Sequence, residues 1–121
     1  MVFLSKSKQP RKQRKSRYNA PLHIKQKLMR SMLDKSLQNE YKKRTVSVIK
    51  GDTVKIISGD HKGKIGLVTN VNLKKNIIFI NGITTIKANG SEALISINPS
   101  NVIITKLELK DKTREERIRR K

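Results

Sequence analysis

The chain has 121 residues, enough for one domain, and carries 29 lysines and arginines against 9 acidic residues, a formal net charge of +20. So many positive charges repel one another unless an anionic partner neutralises them. Nucleic acid, an anionic membrane surface or an acidic protein would do so. The absence of cysteine excludes disulfides and thiolate zinc sites, and an aromatic content of 3% argues against binding dominated by base stacking, which favours phosphate contact by Lys and Arg.

Residues 1–18 are predicted to form a basic extended arm. The stretch 6–17, KSKQPRKQRKSR, has no apolar residue and alternates basic with small polar residues. Such a segment cannot bury a core, so we expect it to be extended and to become ordered on binding. It would also pass as a nuclear-import signal.

Residues 19–44 are predicted to form a helical N-terminal extension. Asn19 is the expected N-cap, Pro21 suits the first turn, and Asp34 is the candidate cap of a second short helix. Apolar residues at three- and four-residue steps predict one helical stripe, made of Leu28, Met29, Met32, Leu33, Leu37 and Tyr41.

Residues 45–109 hold most of the β-branched residues and predict the main fold, a small β-barrel. Short apolar runs at 53–57, 65–73, 76–80, 95–97 and 102–105 are separated by turn signals rich in Asn and Gly. Closure would remove the exposed edges of such strands. In the second run, alternation predicts an apolar face that Val68 interrupts; the face consists of Ile65, Leu67, Val71 and Leu73.

Residues 110–121 form a charged tail that predicts a frayed, solvated helix. Thr113 and Glu116 have the spacing of a capping box. The pairs Glu115–Arg119 and Glu116–Arg120 stand at helical spacing.

The stretch GDHKGKIG, residues 59–66, resembles a phosphate-cradling loop of a nucleotide enzyme but lacks the required spacing. A P-loop needs four residues between its glycines, a Ser or Thr after the Lys, and a following helix. Here three residues separate Gly59 from Gly63, Ile65 replaces the hydroxyl, and a strand pattern follows. The two histidines, His23 and His61, are distant in sequence, so neither a metal site nor a cofactor is expected.

The same glycines favour a tight hairpin that presents cations. Gly59, Gly63 and Gly66 permit positive φ and close approach of a backbone or ligand. Lys62 and Lys64 then project from the hairpin, and in a chain of this charge we expect them to contact phosphate.

Residues 51–71, GDTVKIISG followed by KGKIGLVTNV, resemble the KOW motif of small SH3-like β-barrels in RNA-associated proteins. The glycines of that motif here are Gly51, Gly59, Gly63 and Gly66. Two further stretches, RKSRYNAPLHI at 14–24 and KANG with INPSNVIIT at 87–105, resemble one family. It is the universal large-subunit ribosomal protein twenty-four family, numbered twenty-six in eukaryotes, and the resemblance covers residues 11–109.

The resemblance implies a structural constituent of the large ribosomal subunit, not an enzyme. Family members bind the 5′ region of large-subunit rRNA early in assembly and lie near the nascent-chain exit tunnel. The implied partners are rRNA and neighbouring ribosomal proteins, with no membrane insertion and no small-molecule substrate. We expect a soluble protein of the cytosolic large subunit, with nucleolar transit if the source is eukaryotic.

The predicted RNA-binding residues fall into three groups. Cations of the arm would thread between RNA helices: Arg11, Lys12, Arg14, Lys15 and Arg17. The basic stretch that follows contributes Tyr18, His23, Lys25, Lys27 and Arg30. The hairpin loops contribute His61, Lys62, Lys64, Lys74 and Lys75. Relative to eukaryotic members, the chain has one residue fewer between the loop glycines, Leu67 in place of a common Lys, and a shorter tail.

Two other functions are compatible with parts of the sequence. A KOW module from a transcription elongation factor would explain the glycine pattern but leaves the basic arm unexplained. A basic chromatin or membrane-surface protein would explain the charge but not the glycines. The first residues, MVFL, are too few for a signal-peptide core, and no run approaches the roughly 20 apolar residues that span a bilayer.

Overall fold

The computed structural model describes residues 5–120, in which three helices and one strand are followed by seven further strands and a last α-helix. The helices are α1 (Pro10–Asn19), α2 (Leu22–Leu28), α3 (Lys35–Tyr41) and α4 (Lys112–Arg119). The strands are β1 (Arg30–Leu33), β2 (Thr45–Ser47), β3 (Thr53–Ile56), β4 (Ile65–Asn72), β5 (Ile77–Ile80), β6 (Thr84–Ile86), β7 (Glu92–Leu94) and β8 (Val102–Lys106). The first four residues of the predicted arm, and Lys121 of the tail, lie outside the described residues.

The fold is mainly β, as predicted, but its sheet is open, and the prediction of a closed barrel is wrong. Six strands pair in the order β2-β1-β8-β3-β4-β5, and β6 and β7 form a separate two-stranded sheet. In the large sheet β1 runs parallel to β8, and the other neighbours are antiparallel. Because β1 occupies the free edge of β8, that edge is not available to close the sheet.

The outer edge of β5 is covered by a later segment instead of by another strand of the sheet. Ile78 and Ile97 exchange backbone hydrogen bonds of 2.8 and 2.9 Å. This single bridge is what remains of the strand predicted at 95–97. The short β6–β7 hairpin, which precedes the bridge, was not anticipated from the sequence. The chain thus covers one edge with an irregular segment, which reduces its exposure to other strands.

A β-bulge in β4 reverses the predicted apolar face of its first half. The register with β5 shifts between Val68 and Asn70, so the extra residue resets the alternation. Val68 is fully buried, whereas Ile65 and Leu67 are 63% and 46% exposed. The residue that interrupted the sequence pattern is therefore the core residue. After the bulge Val71 packs against the core, as predicted.

The first half of the chain differs from its predicted form at two places. The stretch Pro10–Asn19 is a helix, not an extended arm. It has no buried residue. A lack of apolar side chains rules out a core but not a helix, since Gln, Lys and Arg favour helices and Pro suits the first helical position.

A strand divides the stretch that was predicted as one helical stripe. β1 separates α2 from α3 and places Met29 and Leu33, each 1% exposed, in the core of the sheet. Pro21, not Asn19, is the N-cap of α2. Asp34 occupies the predicted N-cap position of α3, but its side chain makes no capping hydrogen bond. Residues four positions apart, such as Met29 and Leu33, lie on the same face of a helix and also on the same face of a strand. The spacing alone therefore did not distinguish the two structures.

The core lies between the sheet and the segments that cover it. It is aliphatic throughout and consists of Met29, Leu33, Val46, Val48, Val54, Ile56, Val68, Ile78, Ile80, Ile83, Ile97, Val102, Ile104 and Ile118. Ile118 belongs to α4, so the C-terminal helix is part of the core. The prediction of a solvated, frayed tail helix is therefore wrong, although the helix itself is present.

A buried ion pair fastens α4 to the sheet. Arg114 and Asp52 are 9% and 0% exposed, and their side chains form two hydrogen bonds, of 2.9 Å from Nη1 and 2.7 Å from Nη2. Both Asp52 carboxylate oxygens and both terminal nitrogens of the Arg114 guanidinium make one further hydrogen bond each. The Asp52 carboxylate accepts the backbone N–H groups of Ile49 and Glu108, and Arg114 donates to the carbonyls of Glu108 and Ser47. A buried ion pair depends on such additional hydrogen bonds to its charged atoms.

The cap of α4 differs from the predicted capping box. The Asp111 carboxylate accepts the backbone N–H of Thr113 at 3.0 Å, so Asp111 is the N-cap. Of the two predicted tail pairs, Glu115–Arg119 is present at 3.1 Å. In the part of the chain that the structure describes, no ion pair joins Glu116 to Arg120.

The ion pair gives a direct stability prediction. Replacing Arg114 with Met leaves the Asp52 carboxylate buried without its partner, and we expect a loss of about 3–5 kcal/mol in the free energy of unfolding. The measurement is urea denaturation followed by circular dichroism. Arg117→Met, an exposed position on the same helix, is the matched control and should change stability by less than about 0.5 kcal/mol.

A double variant separates charge burial from lost packing. Asp52→Asn combined with Arg114→Met leaves no unpaired charge, so it should be more stable than Arg114→Met alone. Equal stability of Arg114→Met and Arg117→Met would contradict the role assigned to the ion pair.

Candidate nucleic-acid interface

The predicted RNA-binding residues lie on the surface. Thirteen of the fifteen are exposed, and the other two, Lys25 and His61, are half-buried. Within residues 5–120 the ion pairs join Arg114 to Asp52 and Arg119 to Glu115, so no predicted cation is neutralised by an acidic side chain. The cations among these residues therefore carry uncompensated positive charge.

Helix α1 presents the densest group of cations. Its ten residues include five Lys and Arg and no acidic residue, and no side chain of the helix is buried. A helix without a packed face is held mainly by its own backbone hydrogen bonds and by contacts at its ends. Near its start, the Gln13 side chain donates to the Ser7 carbonyl at 3.2 Å. The cations of α1 are therefore all available to a partner.

Helix α2 joins two of the predicted groups. Lys25 Nζ donates to the carbonyl of Lys74, in the β4–β5 turn, over a long 3.4 Å hydrogen bond. The same Nζ lies 5.7 Å from the centre of the Tyr18 ring, a cation–π contact. Segments that are about fifty residues apart in sequence thus meet at one surface. We name α1, Lys25 of α2 and the β4–β5 turn together the first basic surface.

Tyr18 is the exposed aromatic side chain of this surface. It is 81% exposed at the last turn of α1. An aromatic ring on a cationic surface can stack on an unpaired base while neighbouring cations bind phosphates. The ring therefore offers a contact that Lys and Arg stems do not.

The β3–β4 loop does not cradle a phosphate with its backbone. The N–H groups of Lys62, Gly63 and Lys64 donate to carbonyls of Gly59, Ile56 and His61, at 2.7 to 3.2 Å. A phosphate-binding loop needs such groups free and directed at the ligand. A strand follows the loop, as its alternation predicted. The loop is thus a hairpin that can offer only its side chains.

Glycine is required at two positions of this hairpin for different structural reasons. Gly63 has φ +89°, with open space where a Cβ would be, so it is required for its backbone conformation. Gly66 does not have positive φ. A Cβ there would lie 2.5 Å from Ile80 Cγ2 and 2.9 Å from the Asn81 carbonyl oxygen, so Gly66 is required for close packing of β4. Positive φ at Gly59, +97°, agrees with the prediction.

The side chains of the hairpin form a second, smaller basic group. Lys62 and Lys64 are exposed, and Lys64 Nζ lies 3.3 Å from Nδ1 of His61. That contact stays within the loop, at the β3–β4 end of the sheet. We therefore treat the loop separately from the first basic surface.

A basic cleft lies on another side of α2, and sequence reasoning did not select most of its residues. It has a volume of about 680 Å³ and lies between α2, β2 and α4. The predicted residues His23, Lys27 and Arg30 line it. Its further basic lining residues are Lys43, Arg44, Arg114 and Arg117. The run of cations at 42–44 could have indicated Lys43 and Arg44, and the charged tail at 110–121 could have indicated Arg114 and Arg117.

Two further features, a metal site and a membrane-spanning helix, are not found among the described residues. Within residues 5–120, no group of three or more His, Cys, Asp or Glu side chains is placed to hold a metal ion. No helix in that range has the length and apolar content to cross a membrane.

Comparison with known proteins gives one consistent family. Residues 7–121 match the family described as the eukaryotic L26 and archaeal L24 ribosomal proteins. The large ribosomal subunit protein uL24 of Methanothrix thermoacetophila is 53% identical over 109 residues, 90% of this chain and 94% of the relative. The protein of the same name from Methanosarcina barkeri is 52% identical over 114 residues, 94% of this chain and 98% of the relative.

The loop geometry predicts a stability difference between adjacent positions. Gly63→Val forces a β-branched residue to adopt φ near +89° and should cost about 1–3 kcal/mol. Lys62→Val, one residue earlier and without positive φ, is the control and should cost less than about 0.5 kcal/mol. Thermal and urea denaturation of both variants test this. Similar stability of the two would refute the conformational role of Gly63.

Proposed function

Because the chain belongs to the family of eukaryotic L26 and archaeal L24 ribosomal proteins, we propose that it binds large-subunit rRNA through its first basic surface and its β3–β4 loop. Membership makes it a structural protein of the large ribosomal subunit with a role in translation, and not an enzyme. What we propose beyond family membership is that particular residues of this chain contact the RNA.

The observation that carries the proposal is the uncompensated charge of α1. Five cations stand on a ten-residue helix with no acidic residue and no buried side chain. Within residues 5–120, these side chains are neither buried nor paired with an acidic side chain. Their repulsion is relieved when phosphates replace their counterions, which also supplies the binding free energy. A polyanion is therefore the partner that this helix is suited to.

The three parts of the first basic surface have distinct roles in the proposal. The cations of α1 lie along RNA backbones. Lys74 and Lys75, in the turn held next to α2 by Lys25, contact a neighbouring stretch of phosphates. Tyr18 stacks on an unpaired base between them. The cations bind the RNA backbone, and the ring adds a contact to a base.

The β3–β4 loop provides a smaller contact. Lys62 and Lys64 extend from a hairpin whose shape is set by its own backbone hydrogen bonds. Such side chains bind phosphates without ordering a loop at the moment of binding, which lowers the entropic cost. His61 lies beside Lys64 and contacts phosphate or water in the same place.

The finer location follows from the family resemblance. We propose that the bound RNA is the 5′ region of the large-subunit rRNA, that the protein joins the subunit early in assembly, and that it lies near the exit of the nascent-chain tunnel. The KOW-like pattern of residues 51–71 supports RNA association of the β3–β4 hairpin. Neighbouring large-subunit proteins are further partners. The relatives named above are archaeal, which favours a cytoplasmic ribosome; nucleolar transit applies if the source is eukaryotic.

A KOW module of an elongation factor is the less suitable alternative. The family match runs from residue 7 to residue 121 and thus includes α1 and α4. A KOW repeat alone accounts for neither helix.

Association with the subunit is the first test. In a cell lysate on a sucrose gradient at moderate salt, we expect the protein to sediment with large subunits and whole ribosomes. Raising the salt should release it, because phosphate contacts weaken as salt competes. Recovery only in free or chromatin fractions, at every salt concentration, would refute the proposed function.

The charges of α1 give a quantitative prediction. Changing its five cations to Gln should lower the slope of log affinity against log salt by about 3.5 to 4.5 units if all five contact phosphates. The changed positions are Arg11, Lys12, Arg14, Lys15 and Arg17. Binding is measured with a transcript of the 5′ third of large-subunit rRNA.

A matched variant controls for net charge alone. It carries five Lys→Gln changes at exposed positions that belong to neither basic group, at Lys35, Lys50, Lys55, Lys87 and Lys106. Its slope should stay close to that of the unchanged protein. If the two variants lower the slope equally, α1 has no specific role in the contact.

A further inference from the structure

Helix α2 separates the first basic surface from the basic cleft. Lys25 reaches the β4–β5 turn. His23 and Lys27, two positions before and after it, line the cleft. Two positions correspond to roughly 200° around a helix, so the two surfaces lie on different sides of α2. The cleft is therefore a second place at which RNA can meet the same helix.

The cleft is strongly cationic after its internal pairing is taken into account. Arg114 is neutralised by Asp52 and belongs to the fold. Asp111 is the acidic residue of the lining, and its carboxylate accepts the N–H of Thr113. The uncompensated cations of the lining are Lys27, Arg30, Lys43, Arg44 and Arg117.

We propose that this cleft binds the phosphate backbone of an rRNA strand and that its occupation holds α4 docked on the sheet. The proposal rests on the proposed function, since it assigns a second site to the same partner. Among the residues that the structure describes, the His23 imidazole is the one ring of the lining, which favours recognition of phosphates over stacking on bases. A volume of about 680 Å³ is that of a concave ligand site, which suits a short stretch of a strand better than the broad face of a duplex.

The coupling to α4 follows from how the cleft is built. One wall is α4, whose Arg114 and Ile118 are buried against the sheet. Across the cleft, Lys43 Nζ donates to the Arg117 carbonyl near the end of α4. If α4 leaves the sheet, the cleft loses that wall and the Arg117 charge. RNA that binds only the closed cleft must then stabilise the docked helix.

The test uses a cleft variant of the full chain, Lys27→Gln, Arg44→Gln and Arg117→Gln. These side chains are exposed and make no hydrogen bond or ion pair within residues 5–120, so the fold should be retained. The matched control carries three Lys→Gln changes elsewhere on the surface, at Lys35, Lys55 and Lys87. Equal melting temperatures of both variants and the unchanged protein verify folding.

RNA binding is measured across a salt series with the 5′ third transcript and with an unrelated transcript of equal length. The cleft variant should lower the salt slope for the rRNA transcript by about 2 to 3 units, with the control unchanged. If the cleft variant behaves as the control does while the α1 variant loses slope, the cleft proposal is overturned and the proposed function stands. If the unchanged protein does not prefer rRNA, both are overturned.

Hydrogen exchange tests the coupling without depending on variant stability. In the unchanged protein, saturating rRNA transcript should slow exchange of α4 amides at least about tenfold. The cleft variant in complex should lose that added protection while α1 amides keep theirs. Unaltered exchange of α4 in the saturated complex would overturn the inference that RNA holds this helix.

Discussion

The buried pair between Asp52 and Arg114 is the interaction on which the rest of the structure depends. It draws the β2–β3 connection, the segment after β8 and helix α4 to one point, because the two side chains also bond backbone groups from each. With α4 in place, Ile118 enters the core and the cleft acquires a wall. A protein of high net charge thus uses one acidic side chain to position a cationic helix. The cost of burying the charges is offset because both carboxylate oxygens and both terminal guanidinium nitrogens also bond backbone groups.

Apolar and cationic side chains occupy separate parts of the molecule. The core is aliphatic and small, and the cations that we assign to RNA lie outside it on α1, α2, the hairpins and the cleft. Helix α1 contacts the core nowhere, whereas α2 and α4 are tied to the sheet. The free protein therefore fixes some cations in space and leaves others to be positioned by their partner. Binding adds stability to such a protein, since the partner neutralises repulsion that the fold alone does not.

Sequence patterns predicted the parts of the fold that are decided locally. Strands β3, β4, β5 and β8 follow from apolar runs between Asn- and Gly-rich turns, and positive φ at Gly63 follows from the turn itself. The inserted strand β1 was missed because its placement depends on pairing with β8, far along the chain. The bulge at Val68 is likewise set by β5 and not by β4. For the interface, composition indicated phosphate contact, but the meeting of Arg44 with Arg117 needs the docked α4, which no local pattern encodes.

The parallel pairing of β1 with β8 has a consequence for synthesis. Met32 lies opposite Ile103, so the middle of the sheet joins residues about seventy positions apart. The centre of the sheet cannot form until β8 has been made and has left the ribosome that makes it. Contacts of such long sequence separation also slow folding, because loop closure must come first. In that interval the cationic first half of the chain is synthesised but not yet folded. A newly synthesised chain of this kind benefits from binding to an acidic chaperone, or from early binding to its RNA, because its cationic segment is complete before the sheet can fold.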